Sequence, residues 1–211
     1  SNVDVCFTNP GTSEMHFCAA LDQVDGMRCV LCLFEGVVTG AADGYGRMLD
    51  RPAATLLHLG PGLGNGLANL HNARKANTPI VNIVGEHATY HVQYDAPLTA
   101  DIEGIARPVS DWVRTSRSAD DIGNDAAAAV NASMKPPGGI STLILPADTA
   151  WTQTASVADP LGGEVAPCVS DEVIEACAKI LKLNEPTMLV VGGKGLRADA
   201  LAYVGAIARQ C

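Results

Sequence analysis

The chain has 211 residues, of which 47% are hydrophobic, 18% charged and 4% aromatic, and its formal net charge is −9. The apolar content excludes intrinsic disorder, and no run approaches the roughly 18 uninterrupted apolar residues that a membrane span requires. The acidic balance argues against nucleic acid as a partner, and the length suits one domain and part of a second.

Apolar runs alternate with helical patterns along the first two thirds of the chain. Strands are predicted at residues 3–7, 28–34, 53–59, 79–84, near 112–113 and at 141–145. Helices are predicted between them, at residues 13–22, 35–49, 63–76 and 120–134. Continuous apolar strands separated by helices favour a parallel sheet that is covered on both faces, in a three-layer αβα domain.

The composition shifts toward Pro and Gly after Pro146. We predict a domain at 1–150, a linker at 151–168, and the start of a second α/β, Rossmann-like domain at 169–211. This second part contains a helix after Ser170, a buried strand at 187–191 and a final helical pattern. Since one strand cannot bury two faces, we expect the second domain to be truncated.

Cysteine usage favours a reducing compartment. The seven cysteines lie mostly in apolar runs, not at disulfide spacings. Cys29 and Cys32 form a C-x-x-C, but the flanking residues favour a strand, on which residues three apart face opposite sides. We therefore expect both to be small buried hydrophobes, with no metal site. We expect no signal peptide, and the cytoplasm is the expected location.

Unusual residues follow four of the predicted strands, where ligands bind in open α/β sheets. They form the segments 9–14, 34–36, 58–66 and 85–87. Glu35 directly follows apolar residues and is expected to be a desolvated, functional carboxylate. The alternative is an acid that favours a helix N-terminus, worth about 0.3–1 kcal/mol. His58 is either functional or a satisfied core histidine.

Three glycine patterns add to this. A glycine-rich turn is predicted between the strand that ends at residue 59 and the helix that begins at about 63, and the glycine-rich segment 60–66 is not a P-loop, because no Gly-Lys-Ser/Thr follows. Gly36, Gly40 and Gly44 recur on one side of a helix and predict close packing of another helix, within the fold or across a dimer. Residues 193–198 match G-x-G-x-x-A, a weak indication of nucleotide binding.

Three motifs together resemble a known family. They are Asn9-Pro10-Gly11 with Glu14, Phe34-Glu35-Gly36 continuing into the A-D-G-Y-G-R of residues 42–47, and Gly60-Pro61-Gly62 continuing to Asn65. This set resembles the N-terminal pyrimidine-binding domain of thiamine-diphosphate-dependent enzymes. The resemblance covers residues 3 to about 150. It is closest to acetolactate synthase large subunits and benzoylformate decarboxylase, and it implies the thiamine-diphosphate-binding fold.

The resemblance implies roles for individual residues. Glu35 would hydrogen-bond N1′ of the cofactor's aminopyrimidine and activate the cofactor. His58 would transfer protons to and from intermediates, and Thr12 would contact substrate. Three further residues would contact the cofactor: Pro10, Gly11 and Asn65.

The implied function is decarboxylation of a 2-oxo acid, with ligation of the acyl group to an acceptor. The family holds the diphosphate and Mg²⁺ on a C-terminal domain, so this chain alone would be inactive. It would work in a homodimer or homotetramer with the site at the subunit interface. The alternatives are a simple decarboxylase like benzoylformate decarboxylase and a non-catalytic dimerisation domain that keeps the fold.

Three positions depart from the acetolactate synthase pattern. Phe34 stands where a His is usual, Glu86 where a Gln is usual, and residues 110–112 where a Lys is usual. These departures argue against strict acetolactate synthesis, and with it against FAD as a second cofactor.

Overall fold

The computed structural model describes residues 3–183 and 185–210. The chain divides into two compact units, with the division between Val165 and Ala166. Residues 153–170 form neither helix nor strand. The domain bounds drawn from the sequence, with a linker at 151–168, stay a prediction.

The first unit is built on a six-stranded parallel sheet. Its strands are Val5–Asn9 (β1), Arg28–Leu31 (β2), Ala53–Leu57 (β3), Ile80–Glu86 (β4), Trp112–Thr115 (β5) and Ile140–Pro146 (β6). Their order is β2-β1-β3-β4-β6-β5, and every neighbouring pair is parallel. The central strands β3 and β6 are buried along their whole length, which explains their continuous apolar runs. The predicted parallel α/β fold is confirmed.

Helices cover both faces of this sheet. The helices of the first unit are Met15–Leu21 (α1), Glu35–Leu49 (α2), Leu59–Lys75 (α3), Ile102–Ala106 (α4), Ala119–Met134 (α5) and Ala147–Trp151 (α6). One core cluster joins α2, α3 and α4 to the sheet, and a second joins α1 and α5 to the other face. The three layers follow from these two cores.

The glycine-rich segment after β3 is helical, so its prediction as a turn is wrong. Helix α3 begins at Leu59, four residues before the predicted start. The glycines permit close packing instead: a Cβ on Gly60 would lie 2.4 Å from the Ala100 Cβ, and one on Gly66 would lie 2.8 Å from the Thr39 Cγ2. Tertiary packing thus overrides the low helix propensity of glycine.

Helix α2 has the predicted bounds, and α3 packs against it. A Cβ on Gly40 would lie 3.0 Å from Asn69 Nδ2, so this glycine allows the two helices to approach within the fold. Gly44 has no atom within 4 Å of the place a Cβ would occupy. The packing of another helix is therefore found inside the chain at Gly40, and packing across a dimer stays a prediction.

The second unit contains helices Asp171–Leu181 (α7) and Ala198–Gln210 (α8). The buried strand predicted at 187–191 is wrong: these residues form no strand, and Met188 and Val190 are 84% and 89% exposed. In the described part of this unit no other strand is present to complete a ladder. The assignment of this unit as the start of a Rossmann-like domain stays a prediction.

The cysteine prediction is half right. Cys32 is buried, but Cys29 is exposed, because β2 is an edge strand with little cover. Among the helices formed by residues 3–183 and 185–210, none is both long and apolar enough to cross a bilayer.

Candidate active site

The candidate site lies at the edge of the sheet where the parallel strands end. The chain runs outward from β1 to β2 and then crosses to β3 on the other side of β1, so the strand order reverses between β1 and β3. Such a reversal opens a crevice in which α/β proteins bind ligands. Gly11 follows β1 at this point, and His58 follows β3.

His58 is held by a buried carboxylate. Glu14 is 2% exposed, and its Oε2 accepts hydrogen bonds from the Gly11 backbone N–H at 2.7 Å and from His58 Nδ1 at 2.8 Å. A Cβ on residue 11 would lie 2.4 Å from His58 Nδ1, so only glycine admits the imidazole here. With Nδ1 engaged, Nε2 is the nitrogen left to act on a ligand.

The backbone directly after His58 is strained. Leu59 has a φ of +50°, in the left-handed region that β-carbon-bearing residues avoid, and its side chain is fully buried in the core under α3. Burial of this side chain holds the strained turn in place. Strain that the core stabilises is typical of positions that aim a functional side chain, here His58.

Glu14 has a second feature that the sequence did not reveal. Its other oxygen, Oε1, is buried without a hydrogen-bond partner and lies against Gly85, where a Cβ would come within 1.5 Å of it. A cavity of about 10 Å³ adjoins the carboxyl group, between α1 and strands β3, β4 and β6. This volume is at the lower limit for a single water molecule, and its walls are mostly apolar.

Glu35 begins α2 and is joined to α3 by Asn65. Asn65 Nδ2 donates to Glu35 Oε2 at 3.1 Å, and within the described residues no donor reaches the other oxygen, Oε1. The apolar neighbours Leu33 and Phe34 are 91% and 51% exposed, so the chain itself leaves Glu35 half-buried. The desolvation expected for this carboxylate is not supplied by the described residues.

The remaining predicted site residues lie in the turn after β1. Pro10 is half-buried beside Asn9, whose side-chain amide donates to the Cys32 carbonyl at 2.7 Å and ties β1 to the segment before Glu35. Thr12 is exposed, and its hydroxyl bonds to no described residue. The structure thus brings Glu35 and Asn65 together as one pair, and His58 and Gly11 as another.

Sequence reasoning assigned no role to two residues that shape this site, Glu14 and Gly85. The spacing of Gly11 and Glu14 is that of a capping box, in which the third residue of a helical turn bonds back to the backbone N–H. That spacing was the available signal for Glu14. No local signal marks Gly85, because its need for glycine arises from a side chain 71 positions away.

Glu86 ends β4 at the same edge of the sheet. Burial raises the pKa of its carboxyl group, and the hydrogen bond from the His87 backbone N–H to Oε1, at 2.6 Å, offsets this only in part. The ionised form is therefore less stable in the folded protein than in water.

We expect Glu86→Gln to raise the melting temperature at pH 7. Because the folded-state pKa is raised, ionised Glu86 destabilises the fold above that pKa, and the penalty disappears as the pH falls below the unfolded-state pKa. Thermal unfolding of both proteins should therefore differ at pH 7 and converge near pH 4. An equal difference at both pH values would contradict this origin. Glu103→Gln serves as the control: this half-buried carboxylate pairs with Arg107 and accepts from the Thr115 hydroxyl, so its change should not raise the melting temperature at pH 7.

The described part of the chain contains no group of three or more His, Cys, Asp or Glu side chains placed to hold a metal ion. What the site offers instead is three carboxylates, of Glu14, Glu35 and Glu86, with the His58 imidazole and the Thr12 hydroxyl around the strand ends. This donor set suits proton transfer and the binding of a polar organic molecule.

Comparison with known proteins adds the family. Residues 1–105 match the model of the N-terminal TPP binding domain of thiamine pyrophosphate enzymes. A Mycobacterium tuberculosis protein named "Putative acetolactate synthase large subunit IlvX" is 55% identical over 97% of this chain and 39% of its own length. The benzoylformate decarboxylase of Pseudomonas aeruginosa is 32% identical over 85% of this chain and 33% of its own length.

A solved structure agrees with these relatives. The thiamine diphosphate-dependent 4-hydroxybenzoylformate decarboxylase of Rhodococcus jostii RHA1 superposes with a TM-score of 0.74 and 26% identity, over 85% of this chain and 34% of that one. The chain thus spans between a third and two fifths of the length of these three proteins. Through its N-terminal domain, the chain belongs to the family of thiamine pyrophosphate enzymes.

Proposed function

We propose that this chain supplies the pyrimidine side of the site in a thiamine-diphosphate-dependent enzyme that decarboxylates a 2-oxo acid and ligates the acyl group to an acceptor. The observation that carries the proposal is the environment of Glu35. This residue begins α2, its Oε2 accepts a hydrogen bond from Asn65, and its Oε1 is left as an acceptor for a ligand. The names of the relatives, an acetolactate synthase large subunit and two decarboxylases of benzoylformate type, support the same chemistry.

The residues present fit the aminopyrimidine of the cofactor. Glu35 offers one carboxylate oxygen to a ring nitrogen, while Asn65 holds the other. The exposed side chains of Leu33 and Phe34 offer an apolar surface beside it. When bound, thiamine diphosphate supplies the electron sink that allows the bond to the leaving carboxylate to break.

The chain's own residues would then bind and move protons. Glu35 Oε1 holds a proton shared with the pyrimidine N1′. His58, fixed through Nδ1, donates and accepts protons at Nε2 on the substrate side. The Thr12 hydroxyl binds the substrate, and Pro10 and Gly11 line the pyrimidine through the turn after β1.

The diphosphate and Mg²⁺ are assigned to a separate domain. The described residues hold no metal-binding group, and a chain with a net charge of −9 offers no general attraction to a diphosphate. We therefore propose a homodimer or homotetramer in which a second subunit supplies these contacts and covers Leu33 and Phe34.

Six cysteines free of disulfides in the described residues support a cytoplasmic location. FAD is left out of the proposal.

The test is turnover by the full-length protein with thiamine diphosphate and Mg²⁺. Consumption of pyruvate with formation of acetolactate would support decarboxylation followed by ligation of the acyl group. Conversion of benzoylformate to benzaldehyde would favour a simple decarboxylase. Cofactor binding without turnover of either acid would favour the non-catalytic domain. Absence of both binding and turnover would overturn the proposal.

Glu14 is expected to be a positioning residue that acts through His58. Glu14→Gln keeps the size of the side chain but removes the charge that His58 Nδ1 faces, and we expect kcat to fall about tenfold with little change in KM. In a His58→Ala background the same change should cost almost nothing, since a partner's effect vanishes when the group it acts on is absent. Equal losses in both backgrounds would show that Glu14 acts independently of His58.

A further inference from the structure

Two cysteines lie side by side on neighbouring strands of the first unit. Cys6 of β1 and Cys29 of β2 are register partners, so their side chains leave the same face of the sheet. Adjacent strands run about 4.8 Å apart, which is within the Cα separation of roughly 4.4–6.8 Å that a disulfide spans. Cys32 lies three residues beyond Cys29 and points to the other face.

The two thiols differ in access. Cys29 is exposed on the edge strand, while Cys6 is completely buried beneath α1. Cys18 of α1 packs against the same core cluster as Cys6, so three thiols share this side of the sheet. A small oxidant from solvent reaches Cys29 first, and Cys6 is the neighbour fixed beside it by the sheet register.

The pKa is raised at each of the three thiols, and burial is the largest cause in every case. Burial raises the pKa of Cys6 to about 12, and burial followed by the charge of Asp22 raises the pKa of Cys29. Both groups are therefore mostly protonated thiols near neutral pH, so only the small thiolate fraction of Cys29 reacts with a peroxide, and the pair stays reduced unless peroxide is in excess. Among the described residues, the two cysteines belong to no group of three or more His, Cys, Asp or Glu side chains that could hold a metal ion.

We propose that Cys6 and Cys29 form a dithiol that hydrogen peroxide or another small peroxide oxidises to an intrachain disulfide. Cys29 Sγ attacks the peroxide, the O–O bond breaks, and a sulfenic acid and water form. Cys6 Sγ then attacks the Cys29 sulfur, the S–O bond breaks, and a second water leaves. Both electrons taken up by the peroxide come from the two thiols.

The disulfide would join strands whose ends carry the candidate site. β1 leads into the turn with Gly11, and β2 leads into the segment that ends at Glu35. The Asn9 amide already links the same two segments through the Cys32 carbonyl. Oxidation would therefore fix the spacing of β1 and β2 directly behind the site.

Peptide mapping of the peroxide-treated protein tests the pair. Trypsin cleaves after Arg28, and a Glu-specific protease cleaves after Glu14 and Glu35, which places Cys6, Cys18 and Cys29 on the separate peptides 1–14, 15–28 and 29–35. The expected product, without reduction, is peptide 1–14 linked to 29–35, and it disappears after dithiothreitol. A link between 15–28 and 29–35 as the main product would overturn the proposal, as would overoxidised Cys29 or a covalent dimer.

Two matched variants separate the cysteines within peptide 29–35. Cys32→Ser should retain the linked product in full, whereas Cys29→Ser should lose it. Cys29 is exposed, so its replacement leaves the core intact. Retention of the link in Cys29→Ser would assign the reaction to Cys32 and overturn the proposal.

Discussion

Glu35→Gln is expected to lower kcat of the full-length enzyme by about 10²–10⁴-fold, the range that a positioned general acid or base contributes. Gln keeps the size of the side chain and can still accept the hydrogen bond from Asn65. What it cannot do is hold and release a proton at Oε1. The affinity for thiamine diphosphate should change far less than kcat, because the shape of the contact is retained.

The measurement is steady-state turnover at saturating cofactor, with cofactor affinity measured separately by titration. Glu103→Gln is a control for the loss of a carboxylate outside the proposed site: Glu103 pairs with Arg107 and accepts from the Thr115 hydroxyl, and its change should leave turnover within a factor of about two. Full activity in Glu35→Gln would show that the proposed proton transfer is wrong. Loss of cofactor binding alone would reduce Glu35 to a binding residue.

The sheet and most of its helices could be predicted because each signal is local. The 35–49 helix has its predicted bounds, and the central strands follow continuous apolar runs. Predictions were wrong where burial depends on neighbours elsewhere in the chain. Cys29 resembles a core residue in sequence, but β2 lies at the edge of the sheet. The segment at 187–191 is apolar enough for a strand and has no partner strand in the described part.

The site divides in the same way. Glu35 and His58 could be singled out because polar residues directly after apolar strands mark the ligand-binding edge of a parallel sheet. The hydrogen bonds that hold them could not, since Asn65 and Glu14 lie 30 and 44 positions away along the chain. Residues 60–66 show the limit of composition: the same glycines serve a turn or a tightly packed helix, and only the neighbours Thr39 and Ala100 decide.

Gly85→Ala is expected to destabilise the protein by about 3 kcal/mol, the combined cost of overpacking and of loss of buried hydrogen bonds to a charged group. The added methyl would lie 1.5 Å from Glu14 Oε1 and 2.5 Å from its Cδ, in a site where Glu14 is 2% exposed. The carboxylate must move, and Oε2 then loses the Gly11 N–H and His58 Nδ1. For a domain of this size the change corresponds to a fall of about 6–12 °C in Tm.

Gly44→Ala is the matched control for the added methyl. Gly44 lies within α2 with no atom within 4 Å of the new Cβ, so alanine should stabilise the helix by about 0.5–1 kcal/mol. Thermal unfolding of both variants measures the loss of stability. Turnover, measured on the Gly85→Ala protein that remains folded, measures the loss of activity separately. If Glu14 carries the effect, turnover falls along with Tm, and Glu14→Gln combined with Gly85→Ala costs less than the sum of the single changes. Additive costs would show that Gly85 excludes a side chain for reasons unrelated to the carboxylate that holds His58.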